Sequence, residues 1–182
     1  ILFIPMFVAG IGMMIKNPKL LSIRLNAKEK EGEQKTVVKL SGLMFIAGFV
    51  LAGLDFRFGW LPLPPWVSVI GAVLFLAAYA IYAEVLRENT YLSRTIEVQE
   101  GQKVISTGLY GIVRHPMYTA TLLMFLSMPL ILGSWWALLL FACYPWLIIK
   151  RIQNEEQVLA SGLKGYTDYK KQVRWRLIPW VW

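Results

Sequence analysis

From Pro64 to Ala83 the chain runs PPWVSVIGAVLFLAAYAIYA, twenty residues without a charge. A stretch of about 20 apolar residues is what a helix needs to cross a hydrocarbon core of ~30 Å. Such a helix satisfies its own backbone hydrogen bonds, and in lipid that requirement leaves few alternatives. Pro64 and Pro65 stand at its start, where a missing N–H costs least. Four further apolar segments, 1–15, 38–54, 117–133 and 135–149, give five in all. The expected fold is therefore an all-α integral membrane protein of about five transmembrane helices. Gly133-Ser134 makes a tight turn between the last two, and Pro129 and Pro145 are the expected kinks. Gly48 and Ala52 have the small-xxx-small spacing of helix packing.

Composition agrees. Hydrophobic residues make up 57% and charged residues 16% of the 182, against roughly 45–50% and about 25% in soluble domains. Disordered, collagenous, coiled-coil and ordinary soluble classes are excluded. One Cys excludes an internal disulfide framework, and one His excludes a multi-histidine metal centre. Cys143 is expected to be a packed apolar residue. As a helix, residues 1–15 reach ~22 Å, short of a full span. Such a helix begins upstream or lies tilted among others. A signal peptide would need a basic n-region and a small-residue cleavage site, which this stretch lacks.

Charge sets the orientation. With five spans, all of the 19 basic residues except Arg57 fall on one side. The positive-inside rule makes that side, with the C-terminus, cytosolic. The net charge of +8 then reflects a membrane surface, and no recognition module argues for nucleic acid. Residues 16–38, with Glu29, Glu31 and Glu33 among the lysines, read as a solvated connector. Residues 94–107 alternate and are rich in β-branched residues, so a small hairpin turning at Glu100-Gly101 is expected. Glu84 closes the third span.

Chemistry concentrates in GLYGIVRHPMY, residues 108–118, where cytosol meets membrane. Pro116 suits a first helical turn and puts His115 at its mouth. His115 and Tyr118 share a face. Free N–H groups there suit an anion, and Gly108 and Gly111 let backbone approach a ligand. His115 stands open between a hydrogen-bonded surface group and a functional one; Arg114 by itself reads as a headgroup contact. Glu155 and Glu156 are either a charged helix end or carboxylates beside a cofactor. In the tail, GYTDYKKQVRWRLIP, Arg174 and Arg176 flank Trp175 and either grip an anion or anchor the protein at the interface. No GxGxxG, P-loop or GxSxG occurs.

Together these residues resemble the isoprenylcysteine carboxyl methyltransferase family, which is itself similar to the phosphatidylethanolamine N-methyltransferases. The resemblance covers about 88–182. It divides one membrane domain, 1–182, into N-terminal spans with a basic loop (1–87) and a methyltransferase core (88–182). It implies S-adenosylmethionine bound on the cytosolic side. His115 and Tyr118 would contact it, Gly108, Tyr110, Arg114 and Pro116 would shape its pocket, and Glu155 or Glu156 would meet cofactor or reacting group. The tail would fold back as a lid. One position departs from the family: Gln172 stands where an arginine often follows the second tail tyrosine, and Arg174 or Arg176 would substitute for it.

The implied reaction is an in-line displacement at a sulfonium methyl, with no metal and no covalent nucleophile. A carboxylate acceptor needs only a cation such as Arg174. An amine acceptor must lose a proton to Glu155 or Glu156. Tyr110, Tyr118 and Trp175 offer faces to the sulfonium. The acceptor would be lipid-like or prenylated and enter from the bilayer. Two other classes stand beside this one, an NADPH-dependent membrane lipid or steroid reductase and a non-catalytic membrane scaffold.

Overall fold

A computed structural model describes residues 2–16, 18, 21, 22, 32–93 and 95–182. Most of the basic connector, including Lys19, Arg24, Lys28, Glu29, Lys30 and Glu31, lies outside the described residues, as do Arg94 and the side chain of Glu33. The helices are α1 (Ile4–Lys16), α2 (Gly32–Phe58), α3 (Pro65–Glu88), α4 (Pro116–Leu132), α5 (Trp135–Phe141), α6 (Tyr144–Gly162) and α7 (Tyr166–Gln172), with a 3₁₀ turn at Gly108–Gly111. Among the described residues there is no strand.

Among the described residues, three helical stretches are long and apolar enough to cross a membrane: Gln34–Phe58, Pro65–Glu88 and Trp135–Gly162. The shorter apolar helices Ile4–Lys16 and Pro116–Leu132 complete the five segments read from the sequence. Helix α2 begins ahead of the second apolar segment and takes in Gln34 and Lys35; Lys35 is exposed and can reach water from the helix end, while Gln34 is buried.

The prolines behave differently from one another. Pro129 lies inside α4, one turn before Gly133 ends the helix in a left-handed conformation (φ 69°). Pro145 is in the first turn of α6, so it marks a break between two helices and not a kink within one. Cys143 sits at that break and is exposed, contrary to the expectation of packing, while its neighbours Phe141 and Tyr144 are the ones buried in the bundle. Glu84 is paired on the surface with Arg87 one turn on.

Helix α3 packs along α4. Gly71 permits it: a Cβ there would lie 2.8 Å from the backbone N of Ile131 and the Cβ of Leu130. Gly48 of α2 faces the ring of Phe141 in the same way, and Ala52 beside it is buried, which is the packing role expected of that pair. Phe125 stacks on Tyr144, 4.1 Å between centroids, within a core that includes Met44, Tyr118, Ile148, Ile152 and Leu177.

The end of the bundle remote from the 108–118 motif is tied by one buried carboxylate. Asp55 accepts from the Leu61 backbone N at 2.8 Å and from the Ser134 hydroxyl at 2.5 Å. Ser134 caps α5 by accepting from Ala137 N, and Leu63 N donates to Gly133 O at 2.8 Å. Asp55→Ala leaves these donors unpaired, at ~1–3 kcal/mol for a buried unsatisfied group. The detergent-solubilised variant is expected to melt several degrees below the parent, and Asp55→Asn, which keeps an acceptor, closer to it; thermal denaturation measures both.

Candidate active site

The motif 108–118 folds as a turn, an extended step and a helix start. Gly108 is left-handed (φ 53°), and a Cβ would fall 1.4 Å from Glu88 Oε1. The close approach anticipated at Gly108 is therefore made to Glu88, which accepts from Leu109 N at 3.0 Å, and not to the cavity described below. Pro116 opens α4 with His115 as its N-cap. The N–H groups of Arg114 and His115 do not await an anion. They donate to the tail carbonyls of Trp175 and Arg176, each at 2.9 Å. Thr119 adds a bond from its hydroxyl to Leu177 O, 2.8 Å. The tail thus docks along the start of α4.

Glu156 is the buried hub. Its Oε1 accepts from Arg114 Nε at 2.8 Å and Nη2 at 2.7 Å, with His115 Nε2 at 3.4 Å. Its Oε2 meets Arg176 Nε at 3.2 Å and Lys170 Nζ at 3.4 Å. Arg114 Nη1 also donates to the carbonyls of Val173 and Arg174, at 2.7 and 2.8 Å. Both Glu156 oxygens are thus held by cations.

Glu155 is placed differently. Its side chain is 25% exposed against 5% for Glu156. Tyr118 donates to Glu155 Oε2 at 2.5 Å, and Arg151 Nε donates to the Tyr118 hydroxyl at 3.0 Å. Arg151 reaches on to Gln34 Oε1 at 3.1 Å. His115 Nδ1 lies 4.0 Å from Glu155 Oε1. The His115 and Tyr118 rings are 5.8 Å apart, as their i, i+3 spacing requires.

These groups face an open pocket of about 840 Å³, a figure that takes in its mouth and the solvent there. Tyr110, Arg114, His115, Tyr118 and Glu155 line it, together with Arg151, Tyr166 and Tyr169. Residues of the 89–105 segment form another wall, among them Asn89, Tyr91, Glu97 and Lys103. Burial pushes the hydroxyls of Tyr110, Tyr166 and Tyr169 above the ordinary phenol range, so all three remain protonated. Two bonds hold the wall: Asn89 Nδ2 donates to the Tyr110 hydroxyl at 2.8 Å, and the Tyr169 hydroxyl donates to Tyr110 O at 2.7 Å.

Of the residues expected here, Gly108 packs on Glu88, Pro116 is buried at the helix start, and Glu156 lies behind the lining. Arg174 turns out to solvent while Val173 beside it turns into the core, since neighbours on an extended chain point oppositely. It gives the site only its carbonyl. Arg176 is the tail arginine whose side chain engages, pairing with Glu156 and lying 4.9 Å over the Trp182 ring. The hairpin expected over 94–107 is a turn at Gly101 without a ladder. Thr95 N and Gln99 N donate to the side chains of Ser93 and Gln102, the local bonding that competes with a sheet. Arg151, Tyr166 and Tyr169 were missed. The available signal was Arg151 four residues before Glu155, hence on one helix face.

The phospholipid methyltransferase family model matches residues 66–164, more than half of the chain. A Delta(14)-sterol reductase of Mus musculus is 30% identical over 93 residues, covering 48% of this chain and 22% of that protein. A Delta(14)-sterol reductase of Methylotuvimicrobium alcaliphilum is 25% identical over 135 residues, 66% and 32% respectively. A protein-S-isoprenylcysteine O-methyltransferase of Dictyostelium discoideum is 29% identical over 119 residues, 64% and 49%. The chain thus spans at most about half the length of these curated relatives. Among solved structures, the eukaryotic intramembrane Ras methyltransferase, isoprenylcysteine carboxyl methyltransferase, shares the fold. Its TM-score is 0.72 at 19% identity, over 99% of this chain and 65% of that one. The match across α3 to α6, where Arg114, His115, Tyr118, Glu155 and Glu156 converge, makes this chain a member of the phospholipid methyltransferase family.

Proposed function

We propose that the chain is a membrane methyltransferase that uses S-adenosylmethionine and acts on a lipid-like or prenylated acceptor at the cytosolic membrane face. The observation that carries this reading is the convergence of His115, Tyr118 and Glu155 on one cavity walled by tyrosines. The donor set fits the cofactor: a carboxylate for hydroxyl or ammonium groups, an imidazole, and aromatic rings beside which a sulfonium is stable. Family membership and the shared fold support methyl transfer.

S-adenosylmethionine supplies an electrophilic methyl on a sulfonium, so the protein has to bind, orient and exclude water. His115 and Glu155 bind and orient. Tyr110, Tyr118 and the 89–105 wall keep water out. Glu156, through Arg114 and Arg176, holds the tail against α4 and so fixes the position of His115. With an amine acceptor Glu155 takes the proton; with a carboxylate acceptor no base is needed. The acceptor enters from the bilayer and the cofactor from water. In this reading all five apolar helices span the membrane with the C-terminus inside, which puts Arg57 alone on the far side.

A second reading, NADPH-dependent sterol reduction, is favoured by the two sterol reductases among the relatives. Calorimetry on the purified protein separates the two. S-adenosylmethionine is expected to bind, displaced by S-adenosylhomocysteine and not by NADPH; tight NADPH binding with no response to S-adenosylhomocysteine makes the protein a reductase. His115→Ala should weaken S-adenosylmethionine about tenfold to a hundredfold, the loss of a hydrogen bond to a charged group. Parent-like affinity would return His115 to a structural role. Topology has its own test in a Cys143→Ser background. Lys35→Cys and Ala160→Cys should be labelled by an impermeant reagent from the same side, and labelling from opposite sides would break the five-span arrangement.

A further inference from the structure

We infer that Tyr166 is a cofactor-binding residue whose hydroxyl finds its hydrogen-bond partner on the bound S-adenosylmethionine; this rests on the function proposed above. Tyr166 lines the cavity and is 4% exposed. Its hydroxyl is buried and has no hydrogen-bond partner among the described residues. Buried hydroxyls are normally paired, and an unpaired one is a cost the fold would shed by carrying phenylalanine.

The neighbour three residues on sharpens the contrast. Tyr169 stands on the same face of α7, equally buried, and its hydroxyl is used within the protein, donating to Tyr110 O at 2.7 Å. One tyrosine of the pair therefore builds the wall, and the other, also lining the cavity, keeps a polar atom without a partner among the described residues. Tyr166 belongs to a buried cluster with Leu163, Tyr169 and Val173, against which Val98 and Val104 of the 89–105 segment and Leu159 of α6 pack. It lies in the field of Glu155 and Glu156 as well as Arg114, and remains protonated. A protonated phenol can donate to a ligand oxygen or nitrogen and accept from a ligand N–H or O–H. The hydroxyl itself is shielded from solvent, so a ligand reaches it when the wall around it shifts. Affinity and order in that wall are then coupled through one ring.

The test compares Tyr166→Phe and Tyr169→Phe in the full chain, by thermal denaturation without ligand and by calorimetry with S-adenosylmethionine. Tyr166→Phe should melt at or above the parent temperature and bind S-adenosylmethionine about three- to tenfold more weakly, the worth of one ordinary hydrogen bond. Tyr169→Phe should melt lower, having lost a bond internal to the fold. If Tyr166→Phe binds with the affinity of the parent, or melts lower with affinity unchanged, Tyr166 is structural and the inference is overturned. If the parent itself gives no binding, the methyltransferase reading falls and this inference with it, an outcome distinct from a parent that binds and a variant that binds equally.

Discussion

The buried carboxylate of Glu156 joins segments that are far apart in the chain: Arg114 and His115 before α4, Lys170 on α7 and Arg176 in the tail. Charges taken out of water are costly unless well paired, and removing one partner from a buried pair strands the other. Here the anion is surrounded by cations, and Arg114 Nη1 donates to the carbonyls of Val173 and Arg174. The hub therefore fixes backbone as well as side chains. Because the tail is tied down, α7 lies over the cavity and Tyr169 can reach Tyr110. Because Arg114 is tied down, His115 is aimed between the two glutamates.

The adjacent carboxylates divide the work. Consecutive residues on a helix point about 100° apart, so Glu155 and Glu156 look in different directions. Glu156 looks toward the tail and is saturated. Glu155 looks toward Tyr118 and the cavity, and keeps partial access to solvent. At the other end of the bundle Asp55 fastens α2 to the turn between α4 and α5. Buried polar groups thus concentrate at the two ends of the bundle, and apolar packing such as Phe125 on Tyr144 lies between them, which is the distribution a hydrocarbon slab imposes.

Much of this is legible in the sequence, and what is not has a physical reason. The uncharged run at 64–83 specifies α3, because only a self-satisfied helix suits such a stretch in lipid. Pro116 specifies the start of α4, and with it the shared face of His115 and Tyr118. The Arg151–Gln34 bond joins residues 117 apart in sequence, a pairing no local pattern encodes. The direction of Arg174 depends on which residue of an extended tail docks, and the tail docks because Arg114 collects its carbonyls. The 94–107 segment has strand-like residues, but its Ser, Thr and Gln side chains satisfy the backbone locally. The glycine at 108 makes room in the backbone, and the occupant of that room is Glu88. In each case the residue type pointed to an unusual requirement, and the partner came from a distant part of the chain.

Photolabelling tests the central claim that the cavity between α4, α6, α7 and the 89–105 segment is the S-adenosylmethionine site. Ultraviolet irradiation of the purified protein with the labelled cofactor, followed by peptide mapping, reads the position directly. The label should fall within residues 89–118 or 151–169, be abolished by excess S-adenosylhomocysteine, and survive NADPH. Label elsewhere in the chain, or label removed by NADPH and untouched by S-adenosylhomocysteine, would contradict the account.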